Sequence, residues 1–245
     1  MNERVWDKFL TEQDRAHLAM KGHKSFGFGS KPALLLIDLY RWVFGDKPEP
    51  LLEAIKTWPL SCGLAAWDAL PHIRTILEKA RQAGIPVIHV TGLEKESGVK
   101  EWAPSSRRAE KQNILSPEAL DRQRRCFDIV DEVKPLPGEV VIRKTSPSAF
   151  WGTPLIGHLN FLDVDTIITC GESTSGCVRA SVVDGCTFRF RMVVVEEGVF
   201  DRSQASHAIN LFDMNQKYAD VLPLAEVIGY LDEWQSKKTP PAKVL

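Results

Sequence analysis

No stretch of these 245 residues holds the ~18 consecutive apolar side chains of a membrane-spanning helix, so a membrane protein of that kind is not expected. Neither sign of charge dominates. Thirty-one basic and 32 acidic residues leave a net charge of −1, which offers nothing to a polyanion such as nucleic acid. The five cysteines, Cys62, Cys126, Cys170, Cys177 and Cys186, form an odd set without a CxxC pair. That argues against both a disulfide framework and a zinc knuckle. No GxGxxG follows the first apolar strand, so a dinucleotide is not expected. No basic-then-apolar leader occupies Met1 to Asp7, and a cytoplasmic location is the expectation. Internal repeats, low-complexity tracts and linkers are absent, and one domain spanning 1–245 is expected.

What is present is an alternation. Hydrophobic residues make up 44% of the chain, enough for a sizeable core. Apolar runs read as strands at Ala33 to Asp38, Pro86 to Thr91, Glu139 to Arg143, Asp165 to Cys170 and Met192 to Glu196, with a short sixth at Ala219 to Val221. Helical spacing falls between them, over Leu64 to Ala83 (with Pro71 inside and Gly84 as cap), Thr153 to Leu162, Val178 to Phe190, Ser203 to Tyr218 and Pro223 to Glu233. The pattern predicts an α/β fold of three layers, α/β/α, on a mostly parallel six-stranded, Rossmann-like sheet. A polar helix over 3–20 forms an amino-terminal extension of about 25 residues, with Trp6 and Leu10 on one face. Residues 39–61 read as irregular, and 92–135 as a charged surface excursion with some helix near 117–122. Cys170 and Cys186 fall within a strand and a helix and read as buried structural thiols.

The most informative residue is Cys177. It follows the fourth strand in Gly171-Glu172-Ser173-Thr174-Ser175-Gly176-Cys177, where a tight turn enters a helix. A helix start offers free N–H groups and partial positive charge, which favour a thiolate and could hold an oxyanion beside it. In an open parallel sheet, ligands bind at the carboxyl ends of the strands. Asp38 ends the first strand and Lys144 follows the third, so both fall at the edge that carries Cys177. Each has an ordinary reading: Asp38 as a turn residue, Lys144 as a solvated strand end, Cys177 as a small buried side chain. Together they have a chemical logic. Asp38 could take the thiol proton and return it to a leaving amine, with Lys144 tuning that carboxylate.

These pieces occur in order with Leu34-Leu35-Leu36-Ile37-Asp38, Ser148-Ala149-Phe150, Gly152-Thr153-Pro154-Leu155, Glu196-Glu197-Gly198-Val199-Phe200-Asp201-Arg202 and the run Ser206 to Met214. From Pro32 to about Tyr218 the chain resembles the isochorismatase-like cysteine hydrolases, and within them the N-carbamoylsarcosine amidohydrolase-like branch. The resemblance implies Asp38, Lys144 and Cys177 as a catalytic triad. It implies a non-proline cis peptide at Glu172-Ser173 and an oxyanion hole from the N–H groups of Ser173 and Cys177. It also implies substrate binding by Arg202, helped by Thr174, and a homo-oligomer, with a tetramer favoured. Arg202 could grip a carboxylate bidentately, or form a structural ion pair with Asp201 or a nearby acid. Glu172 departs from the family pattern, in which a small residue is common. An acid there could face solvent, bind a cationic group or repel an anionic substrate. His207 reads as a packing or capping residue. Metal-binding relatives carry Asp-x-His after the first aspartate, whereas Asp46-Lys47-Pro48-Glu49-Pro50 has no histidine, so neither metal nor cofactor is expected.

The leading expectation is therefore a cofactor-free amidohydrolase that cleaves a C–N bond of a small carbamoyl or linear amide substrate through a thioester and releases ammonia. A vinyl-ether hydrolase and a non-catalytic interaction protein on the same fold are the competing readings. Trp42, Trp102, Phe150 and Trp151 are candidates to line the pocket.

Overall fold

The apolar run that begins at Pro32 is buried at every position, as expected of a strand covered on both faces. In the computed structural model, which describes residues 4–22, 24–92 and 116–238, this strand β1 (Pro32–Ile37) lies in the middle of the sheet. The others are β2 (Val87–Gly92), β3 (Val140–Lys144), β4 (Thr166–Glu172), β5 (Arg191–Phe200) and β6 (Asp220–Leu222). The order is β3-β2-β1-β4-β5-β6, with every neighbouring pair parallel. Strand order therefore reverses direction between β1 and β4, and their carboxyl ends open the crevice where this architecture takes ligands.

Helices cover both faces. They are α1 (Glu12–Lys21), α2 (Arg41–Phe44), α3 (Leu51–Thr57), α4 (Leu64–Ala83), α5 (Pro117–Arg125), α6 (Leu155–Phe161), α7 (Arg179–Thr187), α8 (Gln204–Lys217) and α9 (Leu224–Lys238). Leu34 and Leu36 face α4 and α9, while Leu35 and Ile37 face α6, α7 and α8. That split follows from the two-residue period of a strand. Helix α4 buries Leu70, Ile73, Ile76 and Leu77 along one stripe, each contributing about 1.5–3 kcal/mol.

Several sequence expectations shift. The 3–20 segment is not one helix: a 3-10 turn (Asp7–Phe9) carries the buried Trp6 before it, and α1 starts afresh at Thr11. The cause is a capping box, in which Thr11 Oγ1 accepts from the Asp14 N–H and Asp14 accepts from the Thr11 N–H. The proline-rich stretch 39–61 is partly helical, in α2 and α3. Strand β5 runs four residues beyond Glu196, because a register shift against β4 between Thr169 and Gly171 absorbs three extra residues between Val194 and Val199 and lets the ladder resume. Cys170 is fully buried, but Cys186 is only partly covered. The excursion over 92–135 includes α5, while 93–115, with Trp102, lie outside the described residues, as does the tail from 239.

Candidate active site

Ladder register brings the predicted groups together. Ile37 stands opposite Val90 on one side and Gly171 on the other, and Gly92 stands opposite Lys144. The ends of β3, β2, β1 and β4 are thus level. Gly171 permits the close approach of β4 to β1. Its φ is +126°, and a Cβ there would collide with the Ile37 carbonyl oxygen.

Asp38 follows β1 with φ of 56°, a left-handed conformation that Asp tolerates better than most residues, and its N–H donates to Val90 O at 2.9 Å. Lys144 is the last residue of β3, two positions after buried Ile142, so alternation turns it inward. It must cross β2 to reach β1, about 10 Å at normal strand spacing, which only a long side chain can do. Its Nζ lies 2.8 Å from Asp38 Oδ2, 3.3 Å from Cys177 Sγ and 3.1 Å from Ser146 O. Cys177 sits in a single π turn (Thr174–Val178) that leads directly into α7, so its sulfur stands at a helix entrance.

The turn is held from outside. Asp201 accepts from the Ser175 N–H at 2.9 Å and from Ser175 Oγ at 2.6 Å. Thr174, fully buried, meets His207 Nδ1 at 2.8 Å. The Glu172-Ser173 peptide that begins the turn is cis. Arg202 reaches Glu172, with Nη1 2.7 Å from Oε1, and Nη2 donates to Leu60 O.

Burial dominates the electrostatics. It raises the Asp38 carboxyl above its ordinary value, with Lys144 opposing. It raises the Cys177 thiol strongly, and the negative charge of Asp38 raises it further against the pull of Lys144. On Lys144, burial is outweighed by the charges of Asp38 and Cys177, and the ammonium is held on. The resting thiol therefore keeps its proton, contrary to what the helix start alone suggests. Asp38 lies within hydrogen-bonding reach of both the Lys144 ammonium, whose Nζ is 2.8 Å from Oδ2, and the Cys177 thiol. A buried carboxylate in contact with a protonated thiol can accept its proton, and the nearby ammonium can stabilise the sulfur anion left behind.

Two groups at this edge escaped the sequence reading. Tyr40, two residues past Asp38 and nearly buried, has its hydroxyl ionisation suppressed by burial and by the charges of Asp38, Glu172 and Cys177. Its spacing from Asp38 was the available signal. Cys62, at the entrance to α4, lies 3.8 Å from Glu172 Oε1, and no local pattern marks it. Of the aromatic candidates, Phe150 packs against Phe188 and Phe190, Trp42 against Phe127, and Trp151 is largely exposed. A cavity of about 500 Å3 lies behind the π turn, with Asp201 and His207 in its wall but none of Asp38, Lys144 or Cys177. A second, of about 340 Å3, is lined by Lys21 at the end of α1, Gly22, Lys24 and Phe26 of the loop after it, and Asn215 and Gln216 of α8.

Residues 32–226 match the model of the isochorismatase domain. The chain belongs to the isochorismatase family. Among the relatives in this family, a maleamate amidohydrolase of Pseudomonas putida is 35% identical over 84% of this chain and 89% of its own length. An N-carbamoylsarcosine amidase of an Arthrobacter species is 31% identical over 85% of this chain and 74% of its own. Among solved structures, a cysteine hydrolase from Pseudomonas syringae aligns with a TM-score of 0.68 at 18% identity, covering 87% of this chain and 98% of that one, which supports the family fold. No described helix is long and apolar enough to cross a membrane.

Proposed function

We propose that this member of the isochorismatase family is a cysteine-dependent amidohydrolase acting on a small carbamoyl or linear amide substrate. The observation that carries the reading is the convergence of three side chains from β1, β3 and the turn after β4, with Lys144 Nζ 2.8 Å from Asp38 and 3.3 Å from Cys177. Both relatives reported above are named for amide-cleaving activities.

Asp38 takes the proton from Cys177 as the sulfur attacks the carbonyl carbon. The proton then passes to the departing nitrogen, and ammonia leaves. A thioester stays on Cys177. Water, deprotonated by Asp38, adds to it; the C–S bond breaks, the acid product leaves, and Asp38 returns the proton to the Cys177 sulfur. Lys144 keeps its charge throughout, steadying the carboxylate and the sulfur anion in turn. The N–H groups of Ser173 and Cys177 hold the oxyanion, a contribution of about 3 kcal/mol per donor. Arg202, held by Glu172, and Thr174 as a helper border the rest of the substrate. The enzyme works in the cytoplasm, as a homo-oligomer with a tetramer favoured, and without a cofactor.

Ammonia release from maleamate, ureido acids, biuret and nicotinamide tests the reading. Turnover of at least one of them by the wild type and loss in Cys177→Ala are expected. Full turnover in that variant defeats the reading.

A further inference from the structure

Two cations act on the charged groups at this edge, and each already faces a carboxylate. Lys144 stands 2.8 Å from Asp38, and Arg202 stands 2.7 Å from Glu172. The second pair is built by the ladder itself. Glu172 closes β4 opposite Phe200 of β5, and Arg202 follows two residues later, so the two side chains meet across neighbouring strand ends. The carboxyl of Glu172 is nearly buried, and its charge reaches Cys177. Its Oε1 is engaged by Arg202 and Cys62, while Oε2 receives no hydrogen bond from the described residues.

We propose that Glu172 is the specificity-determining residue of the site: by pairing with Arg202 it withholds that guanidinium from substrate carboxylates and selects linear amides whose far end is neutral and rich in N–H donors. This rests on the amidohydrolase reading. A carboxylate entering here would join Asp38 and Glu172, with the charge of Asp201 also acting on the Glu172–Arg202 pair, against two cations that are already paired, so its lost hydration would go uncompensated. A neutral amide or urea end meets no such penalty and can donate an N–H to Oε2. Discrimination then comes from repulsion as much as attraction. Proximity to Asp38 also raises the Glu172 carboxyl, after burial, which is the response of an acid in a crowd of negative charge.

The test compares maleamate with maleamide, which differ only in whether the far end is a carboxylate or a neutral amide. The wild type is expected to favour maleamide in kcat/KM by about tenfold or more, and Glu172→Gln to raise kcat/KM for maleamate by a similar factor. A second readout is independent of turnover: protection of Cys177 from iodoacetamide by maleate, a non-hydrolysable dianion. Half-protection in Glu172→Gln is expected at a concentration about tenfold lower than in the wild type. A wild type that prefers maleamate overturns the proposal, and this arm needs no variant. Unchanged maleate protection in a folded Glu172→Gln also overturns it. Ammonia from neither amide, with maleate protection still shifted, defeats the amidohydrolase reading and leaves the anion-excluding role of Glu172 supported.

Discussion

Two ion pairs stand at one sheet edge, and they differ in what they touch. Asp38–Lys144 is almost wholly buried, with side-chain exposures of 0% and 6%, and Lys144 also reaches the sulfur. In Glu172–Arg202 the acid is buried but the guanidinium is 31% exposed, and its other contact is a loop carbonyl. Burial raises both carboxyls. In the first pair the raised carboxyl also meets the Cys177 thiol, an arrangement suited to moving a proton. In the second, one oxygen is committed to a cation that could otherwise bind an anion. Two acid–base pairs of the same charge type thus differ in the partner within reach, a thiol for one and a loop carbonyl for the other.

Substitutions that break each pair should separate these roles. Asp38→Asn removes the proton acceptor while keeping the shape. Ammonia release is expected to fall by about 10²–10⁴ in kcat, and stability by about 3–5 kcal/mol, because the buried Lys144 ammonium loses its counter-charge. A loss under tenfold would place the proton elsewhere. Lys144→Met leaves Asp38 buried beside an apolar chain, and a loss of about 3–5 kcal/mol is expected in urea unfolding. The same substitution should depress turnover, because the sulfur anion loses its nearby charge.

Glu172→Gln sharpens the comparison through pH. The Glu172 carboxyl is raised from 4.5 to about 7 in the folded chain, by burial first and the charge of Asp38 in addition, against Arg202. Between those values the folded state holds a proton that the unfolded chain has released, so this group's contribution to stability falls as pH rises through the window. Glutamine does not titrate. The stability of the variant relative to wild type should therefore rise by about 3 kcal/mol from pH 4.5 to pH 7.5, read from urea unfolding at a series of pH values. Parallel profiles would mean that Glu172 ionises normally. The smallest effect is expected at His207, whose ring holds Thr174 at 2.8 Å and stays neutral because burial lowers its pKa. His207→Ala should cost about 1 kcal/mol of stability and shift kcat only modestly.

Much of this was legible in the sequence, and what was not has a physical cause. Fully buried parallel strands appear as unbroken apolar runs, so β1, β2 and β4 stood out, and with them the strand ends at Asp38 and Cys177. Lys144 was legible as the polar residue closing a third run. The partner of Arg202 was not, because pairing Glu172 with a side chain 30 positions away depends on the register shift between β4 and β5. How strongly the Cys177 thiol is held protonated was not legible for a related reason. A helix start is a local feature, whereas the burial and the Asp38 charge that override it are tertiary. The break before α1 was written in Thr11-x-x-Asp14 but masked by the amphipathic spacing of Trp6 and Leu10. The short helices α2 and α3 lie among prolines, where propensity argues against them and packing decides.

The central claim is that Cys177 becomes the covalent attachment point of the substrate's acyl group, with Asp38 as the proton acceptor. Peptide mass mapping after rapid acid quench during amide turnover measures this directly. An added acyl mass is expected on the peptide that contains Cys177 in the wild type, and no such adduct in Cys177→Ala, which also releases no ammonia. Continued ammonia release by Cys177→Ala, or wild-type turnover with every cysteine peptide unmodified, would contradict it.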